Sequence, residues 1–255
     1  MFKELYKYRE FLKTSVKKEF RGKYKKSFLG VLWSFLNPLC QLLIYALVFP
    51  FILKVDVENY TMFLIVALIP WNFFNMTLLQ SAASIVANGG IIKKVYFPRI
   101  ILPISVVTSN LISFLITFVI VLAALLISGI GITTSIFMLP VILLIQYLFQ
   151  LGVAFIASSI TVYIRDIEYI INLLTMLLFY MCPIAYSADM IPDKLAPIFN
   201  LNPLLHIINY YREILYYQRI PDVSGILTLL LVAVIFLVGG YLVFKKCEKR
   251  FAEEL

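Results

Sequence analysis

The chain carries few side chains able to do chemistry, and they are scattered. His206 is the single histidine among 255 residues. Acid–base work by an imidazole needs a group within reach of the proton it moves. His206 has no such neighbour in its motif and reads as a surface or helix-packing residue. Asp189 and Asp193 stand four apart, a spacing open to a metal or an acid/base pair. Without a histidine or a third acid beside them, solvated loop charges fit better. Cys40, Cys182 and Cys247 form no CxxC and no Cys/His cluster, so neither a zinc site nor a disulfide framework is indicated. No G-x-x-x-x-G-K-[ST] occurs, so binding of ATP through a P-loop is not expected. The sequence therefore assigns no catalytic, cofactor-binding or metal-binding residue.

What remains acts by contact. Basic side chains cluster in the first thirty residues, Lys17, Lys18, Arg21 and Lys25 among them, and in the stretch NGGIIKKVYFPR, which carries Lys93, Lys94 and Arg99. Arg165 and Asp166 adjoin one another and fit a local ion pair or a helix cap. Aromatic rings are abundant, with 21 Phe, 16 Tyr and 2 Trp. Trp33 and Tyr60 sit where interfacial belts of a membrane protein are expected. Phe73, Phe74, Phe179 and Tyr180 lie deeper in apolar runs. Their faces suit stacking on sugar rings, and tyrosine adds a polar handle. Lipid-facing packing fits the same positions equally well.

The elements that hold these residues are long apolar runs. The composition is 62% hydrophobic and 14% charged, against roughly 45–50% and about 25% in soluble domains. A spanning helix needs roughly 20 mostly apolar residues. Six runs meet that need, at about 31–53, 60–80, 103–127, 136–163, 169–186 and 223–244, and none contains a charged residue. The expected fold is an all-α integral membrane protein with six transmembrane helices. Lys54, Asp56 and Glu58 close the first run. With six spans both termini share a side. That side collects 18 of the Lys and Arg residues and the other side 4, which places both termini in the cytoplasm. The net charge of +8 belongs to inner loops, and no nucleic-acid partner is read from it. Charged carriers at the midplane are absent, which speaks against ion-coupled transport.

Residues 1–30 form a cytoplasmic interface segment ahead of the transmembrane domain, 31–255. At helical spacing Leu5, Tyr8, Leu12, Val16 and Phe20 share one face, with Lys3, Lys7, Lys17, Lys18 and Arg21 on the other. This pattern predicts an amphipathic helix on the inner membrane surface, ending at Gly22. The outer segment 187–222 has prolines at 192, 197, 203 and 221. It reads as two short, re-entrant-like helices before the last span. Leu204, Ile207, Ile208, Tyr211 and Leu215 share a face of the second.

Four stretches, KEFRGKYKKSFLGVLWSFLNPL (Lys18 to Leu39), KKVYFPRIILP (Lys93 to Pro103), YIRDIEYI (Tyr163 to Ile170) and FNLNPLLHIINYYREIL (Phe199 to Leu215), occur in this order. With them the chain resembles the permease subunit of type-2 ABC exporters, in the branch exporting lipid-linked polysaccharides such as O-antigen, capsule and wall teichoic acid. The resemblance covers nearly the whole chain. It implies a transport subunit rather than an enzyme, in the bacterial cytoplasmic membrane. The implied partners are a second copy, two copies of a separate ATP-binding subunit that holds ATP and Mg, the lipid-linked glycan, and membrane lipid. It implies that Lys93, Lys94, Val95, Tyr96, Phe97, Pro98 and Arg99 carry coupling to the ATPase, together with the interface helix. It implies a channel between the two copies, with their first and fifth spans facing, for which Trp33, Phe35, Phe179, Tyr180 and Tyr186 are the candidate aromatics. Asn202, Pro203 and Arg212 belong to the outer segment near the exit. A drug or small-lipid exporter of the same fold, and a membrane-embedded acyl or glycosyl transferase, are the competing readings. The transferase would need a polar catalytic cluster, which these residues do not assemble.

Overall fold

The computed structural model describes residues 6–23, 27–53 and 57–255. Lys3, Leu5, Lys25, Lys54 and Asp56, named above, lie outside the described residues. Among those described, every regular element is helical. The main helices are α1 (Arg9–Gly22), α2 (Trp33–Leu53), α3 (Tyr60–Ala83), α4 (Ile101–Ile127), α5 (Leu139–Tyr163), α6 (Ile167–Met181), α7 (Pro203–Leu215) and α8 (Val223–Cys247).

Helices α3, α4, α5 and α8 are long and apolar enough to cross a membrane. Helix α2 has 21 residues and matches the first expected run. The fifth expected run, 169–186, is helical only as far as Met181. Helix α6 stops at Met181 after 15 residues, about 22 Å by helical rise, short of the roughly 30 Å hydrocarbon layer. Pro183 is the local cause. A residue preceding proline is pushed out of the helical region, and Cys182 is extended (φ −101, ψ 122).

Helix α3 is the axis of the bundle. It is buried along most of its length and touches α2, α4, α5, α6 and α7. Pro70 within it donates no hydrogen bond to the preceding turn. Its own carbonyl accepts from Gln146 Nε2 at 2.9 Å, and the Gln146 oxygen in turn accepts from the Tyr211 hydroxyl at 2.9 Å. Those two bonds tie α3, α5 and α7 at one level. Several aromatics are core residues here. Phe73 stacks on Phe114 at 5.0 Å between centroids and Phe74 on Phe149 at 6.2 Å. Tyr60, expected in an interfacial belt, is buried, with its hydroxyl donating to the Ala185 carbonyl at 2.7 Å.

Helices α5 and α8 pack backbone against backbone. A Cβ added at Gly152 would stand 2.3 Å from the Phe236 carbonyl carbon, and one at Gly240 would stand 2.2 Å from the Gly152 oxygen. Glycine is what lets two helices approach this closely. Beyond the sixth expected run, α8 continues through Lys245 and Lys246, and the chain then folds back. Phe251 is buried against Phe244, with centroids 5.4 Å apart. The expected charged tail is thus part of a packed cluster.

Candidate functional site

The segment between α3 and α4 is built on an apolar anchor. Phe97 is 5% exposed and joins Ile92, Ile100, Phe155, Phe244 and Phe251 in a second core cluster. Around the anchor, Lys93, Lys94, Val95 and Tyr96 face outward, and the Tyr96 ring is 91% exposed. Pro98 and Arg99 are half-buried. The Arg99 guanidinium donates to the Glu248 carbonyl at the end of α8. The seven residues expected to act together therefore divide. Four project, Phe97 anchors, Pro98 is half-buried beside it, and Arg99 ties the segment to the C-terminal fold.

Helix α1 ends at Gly22 as expected, but its apolar face is not laid on lipid alone. It packs on α4, and Tyr8, Phe11 and Leu12 enter the cluster around Phe97. The Phe11 and Phe97 rings meet with centroids 4.8 Å apart. Lys18 Nζ donates to Asn88 Oδ1 at 2.7 Å, while Lys17 and Arg21 are exposed. Arg165 and Asp166 are both exposed, and the ion pair or cap expected of them is not formed. No ion pair joins them among the described residues, and Asp166 stands at the α6 N-cap without a side-chain cap bond. A solvated position keeps both charges hydrated, so pairing gains little.

On the opposite face, Arg212 departs from the expected outer-loop charge. It is 3% exposed, stacked over the Phe63 ring at 3.7 Å. Its Nη2 donates to the Ile184 carbonyl at 2.6 Å, its Nη1 to the Pro183 carbonyl, and its Nε to the Phe63 carbonyl at 3.4 Å. Asn202 caps α7 by accepting from Leu204 N at 3.1 Å and donates to Cys182 Sγ at 3.3 Å. Pro203 occupies the first turn of α7. Arg212 and Tyr60 thus satisfy the Pro183, Ile184 and Ala185 carbonyls that α6 leaves open, while Asn202 holds the Cys182 side chain. Non-helical backbone inside a membrane domain persists only where protein covers it in this way. His206 contacts the Asn200 carbonyl at 2.8 Å, a packing contact. Asp189 and Asp193 are exposed, and Ser187 Oγ donates to Asp189 Oδ2 at 3.0 Å. Among the described residues no group of three His, Cys, Asp or Glu side chains could hold a metal.

The candidate channel aromatics separate by position. Phe179 lies half-buried between Tyr45 and Trp71, at centroid distances of 5.9 and 5.6 Å. Tyr180 is exposed, and the Tyr186 hydroxyl donates to its carbonyl. Phe35 is half-buried, and Trp33 is exposed.

Trp33 also borders a cavity of about 570 Å³ that sequence reasoning missed. It lies between α2, α3 and α4. Among the described residues six amide side chains line it, Asn37, Gln41, Asn72, Asn75, Gln80 and Asn110, and no carboxylate does. Lys23, at the end of α1, reaches in. Its Nζ donates to Asn110 Oδ1 at 2.8 Å and to Ser113 Oγ at 3.4 Å. Burial pushes the Lys23 amine well below the ordinary lysine range, with Glu19 one turn back offsetting part of the effect. A count of charges within apolar runs could not reveal this cation, because it enters from outside the runs. The amides did leave a signal. Asn37 and Gln41 are four apart and Asn72 and Asn75 three apart, so each pair shares a helical face.

The matched family is described as ABC-2 type transporter, and its model aligns with residues 10–216. An O-antigen export system permease protein RfbA of Myxococcus xanthus is 33% identical over 257 residues, which covers 100% of this chain and 99% of the relative. Two O-antigen export system permease proteins RfbA of Klebsiella pneumoniae are each 37% identical over 239 residues, covering 93% of this chain and 92% of each relative. These relatives and the apolar helices make it a multi-pass protein of the bacterial inner membrane. By the match of residues 10–216, which include the segment around Phe97 and the Arg212 clasp, the chain belongs to the ABC-2 type transporter family.

Proposed function

We propose that this chain is the membrane-spanning permease subunit of an ATP-driven exporter that carries O-antigen polysaccharide, attached to a lipid, out of the cytoplasm. The observation that carries the reading is the end-to-end likeness to O-antigen export permeases of two bacteria. Two permease copies work with two ATP-binding subunits, which bind ATP and Mg. The exposed patch formed by Lys93, Lys94, Val95 and Tyr96 is the docking surface for the ATP-binding subunit, with α1 beside it. Both termini face the cytoplasm, in keeping with the division of Lys and Arg between the two sides. Six crossings result when α2 and α6 are added to the four long helices. Helix α6 covers part of the bilayer, and the clasped stretch from Cys182 to Ala185 continues toward the outer side. The glycan passes between the two copies, because a single bundle packed like a protein interior leaves no such path.

A strain that lacks its own O-antigen exporter, supplied with this chain and its ATP-binding subunit, tests the reading. Surface O-antigen should appear with both genes and vanish when the P-loop lysine of the partner is replaced. Surface polymer that persists with the disabled ATPase, or none with an assembled active complex, overturns it.

A further inference from the structure

The cavity between α2, α3 and α4 combines features that the packing of a membrane bundle does not require. A bundle interior is stable when its polar groups are paired, and a buried cation without a counter-charge is costly. Here a lysine amine donates to neutral oxygens, those of Asn110 and Ser113, while the Glu19 carboxylate that acts on it lies one turn back on α1, outside the cavity lining. The Asn75 oxygen on the same wall is buried and has no partner. The other amides are pre-arranged. Asn110 Nδ2 donates to Gln80 Oε1 at 3.0 Å, and Asn72 Nδ2 donates to Gln41 Oε1 at 2.9 Å. The Trp33, Phe73 and Phe114 rings complete the lining.

Depth fixes the side from which the cavity is reached. Helix α3 ends and α4 begins at the face that carries the Phe97 segment. Asn110 stands about 13 Å into α4 by helical rise, and Lys23 reaches it from α1 on that same face. The volume lies in the ~300–1,000 Å³ range of small-molecule sites. A cation, a wall of amides and hydroxyls, flat rings and no carboxylate together select one ligand chemistry. That ligand is an anionic phosphoryl group joined to a sugar, with the hydroxyls on the amides and a sugar face on an aromatic ring. Helix α2, which lines the cavity through Asn37 and Gln41, exposes the apolar Leu43, Ile44 and Leu47 further along, where a lipid tail would lie.

We propose that this cavity binds the phosphorylated sugar at the lipid end of the exported glycan, with Lys23 meeting the phosphoryl charge. The inference rests on the export reading above. It adds a site within each copy, apart from the path between copies, that loads the substrate from the coupling side.

The complete complex with its ATP-binding subunit, in lipid nanodiscs, is titrated with a polyprenyl diphosphate bearing one sugar. Lys23→Gln should weaken binding at least about tenfold, the loss of one charge-assisted hydrogen bond, and Lys23→Arg should largely retain it. Asn110→Asp supplies Lys23 with a carboxylate of the same shape, and Gln80 can turn its amide to donate. That variant should keep the thermal stability of the complex yet bind the probe as poorly as Lys23→Gln. The uncharged polyprenol should bind weakly and alike to all forms. Unchanged affinity in both Lys23→Gln and Asn110→Asp overturns the proposal. So does displacement of the probe by equimolar phosphatidylglycerol, which marks a general anionic-lipid pocket. Surface O-antigen from the same variants separates the two readings. Normal export with unchanged binding in Lys23→Gln removes the cavity site alone, whereas no export by the parent complex removes the export reading and this inference with it.

Discussion

The rings of Phe11 and Phe97 meet at 4.8 Å between centroids, across 48°, joining the N-terminal helix to the segment between α3 and α4. The contact makes two elements far apart in sequence one body. If the ATP-binding subunit docks on the Tyr96 patch as proposed, a push there would reach α1 and the first turn of α4 together. Truncating Phe97 to alanine removes a buried ring, a change that costs about 3–5 kcal/mol in well-packed cores. We expect Phe97→Ala to insert in the membrane but to co-purify with much less ATP-binding subunit. A Phe11→Leu, Phe97→Leu double-mutant cycle on the affinity for that subunit should show coupling of about 0.5–1.5 kcal/mol. Strict additivity would show that α1 and the segment respond separately.

The basic residues of the segment should not behave alike. Lys93 and Lys94 are exposed, whereas Arg99 holds the Glu248 carbonyl. Reversing both lysines to glutamate should leave thermal stability within about 0.5 kcal/mol, as for most surface changes, and should release the ATP-binding subunit. Arg99→Ala should instead loosen the C-terminal turn, read as faster proteolysis after Lys249 or Arg250. Normal complex from the double lysine reversal would show that the patch is merely solvated.

The sequence made the broad architecture legible because it is written in one-dimensional quantities. Run length marks α3, α4, α5 and α8, and helical spacing marks Tyr8, Leu12, Val16 and Phe20 on the buried side of α1. The motif around Lys93–Arg99 likewise points to a segment of particular shape. Long-range partners are another matter. Nothing in the local pattern of NYYREIL says that Arg212 turns inward to the Pro183 and Ile184 carbonyls, since that follows from where α6 breaks. Lys23 lies in a polar stretch, so its entry among Asn110 and Ser113 is a tertiary fact. Phe73 and Phe74 show the same limit from the other side. An aromatic in an apolar run fits a channel wall, a lipid face or a core equally well, and only packing decides.

The clasp on the broken α6 makes a chemical prediction. Cys182 is fully buried beneath Asn202 and Arg212. In a background with Cys40 and Cys247 replaced by serine, Cys182 should resist a membrane-permeant maleimide. Arg212→Met strips the Pro183 and Ile184 carbonyls of their donor, at about 1–3 kcal/mol for each buried group left unpaired. Labelling of Cys182 should then speed up at least about tenfold. Arg212→Lys should lie closer to methionine than to arginine, because a single ammonium cannot span the carbonyls that the planar fork reaches. Equal labelling rates in all three proteins would mean that the break is held by Tyr60 and Asn202 without Arg212.

Two adjacent glycines of α8 give the sharpest test of the packing. A Cβ on Gly240 would stand 2.2 Å from the Gly152 oxygen, whereas one on Gly239 meets nothing within 4 Å. The obstacle at Gly240 is backbone, so no side-chain rotation relieves it and α5 and α8 must separate. Gly240→Ala should therefore destabilise the purified protein by about 1–3 kcal/mol, as overpacking does. Gly239→Ala gains about 1 kcal/mol of helix propensity without a clash. The two alanine variants should move the thermal unfolding midpoint in opposite directions. Helices α5 and α8 also carry Phe155 and Phe244 into the cluster around Phe97, so Gly240→Ala should weaken binding of the ATP-binding subunit as well. Midpoints that shift together, or a Gly240→Ala protein as stable as its parent, would mean that the two helices are not locked at Gly152.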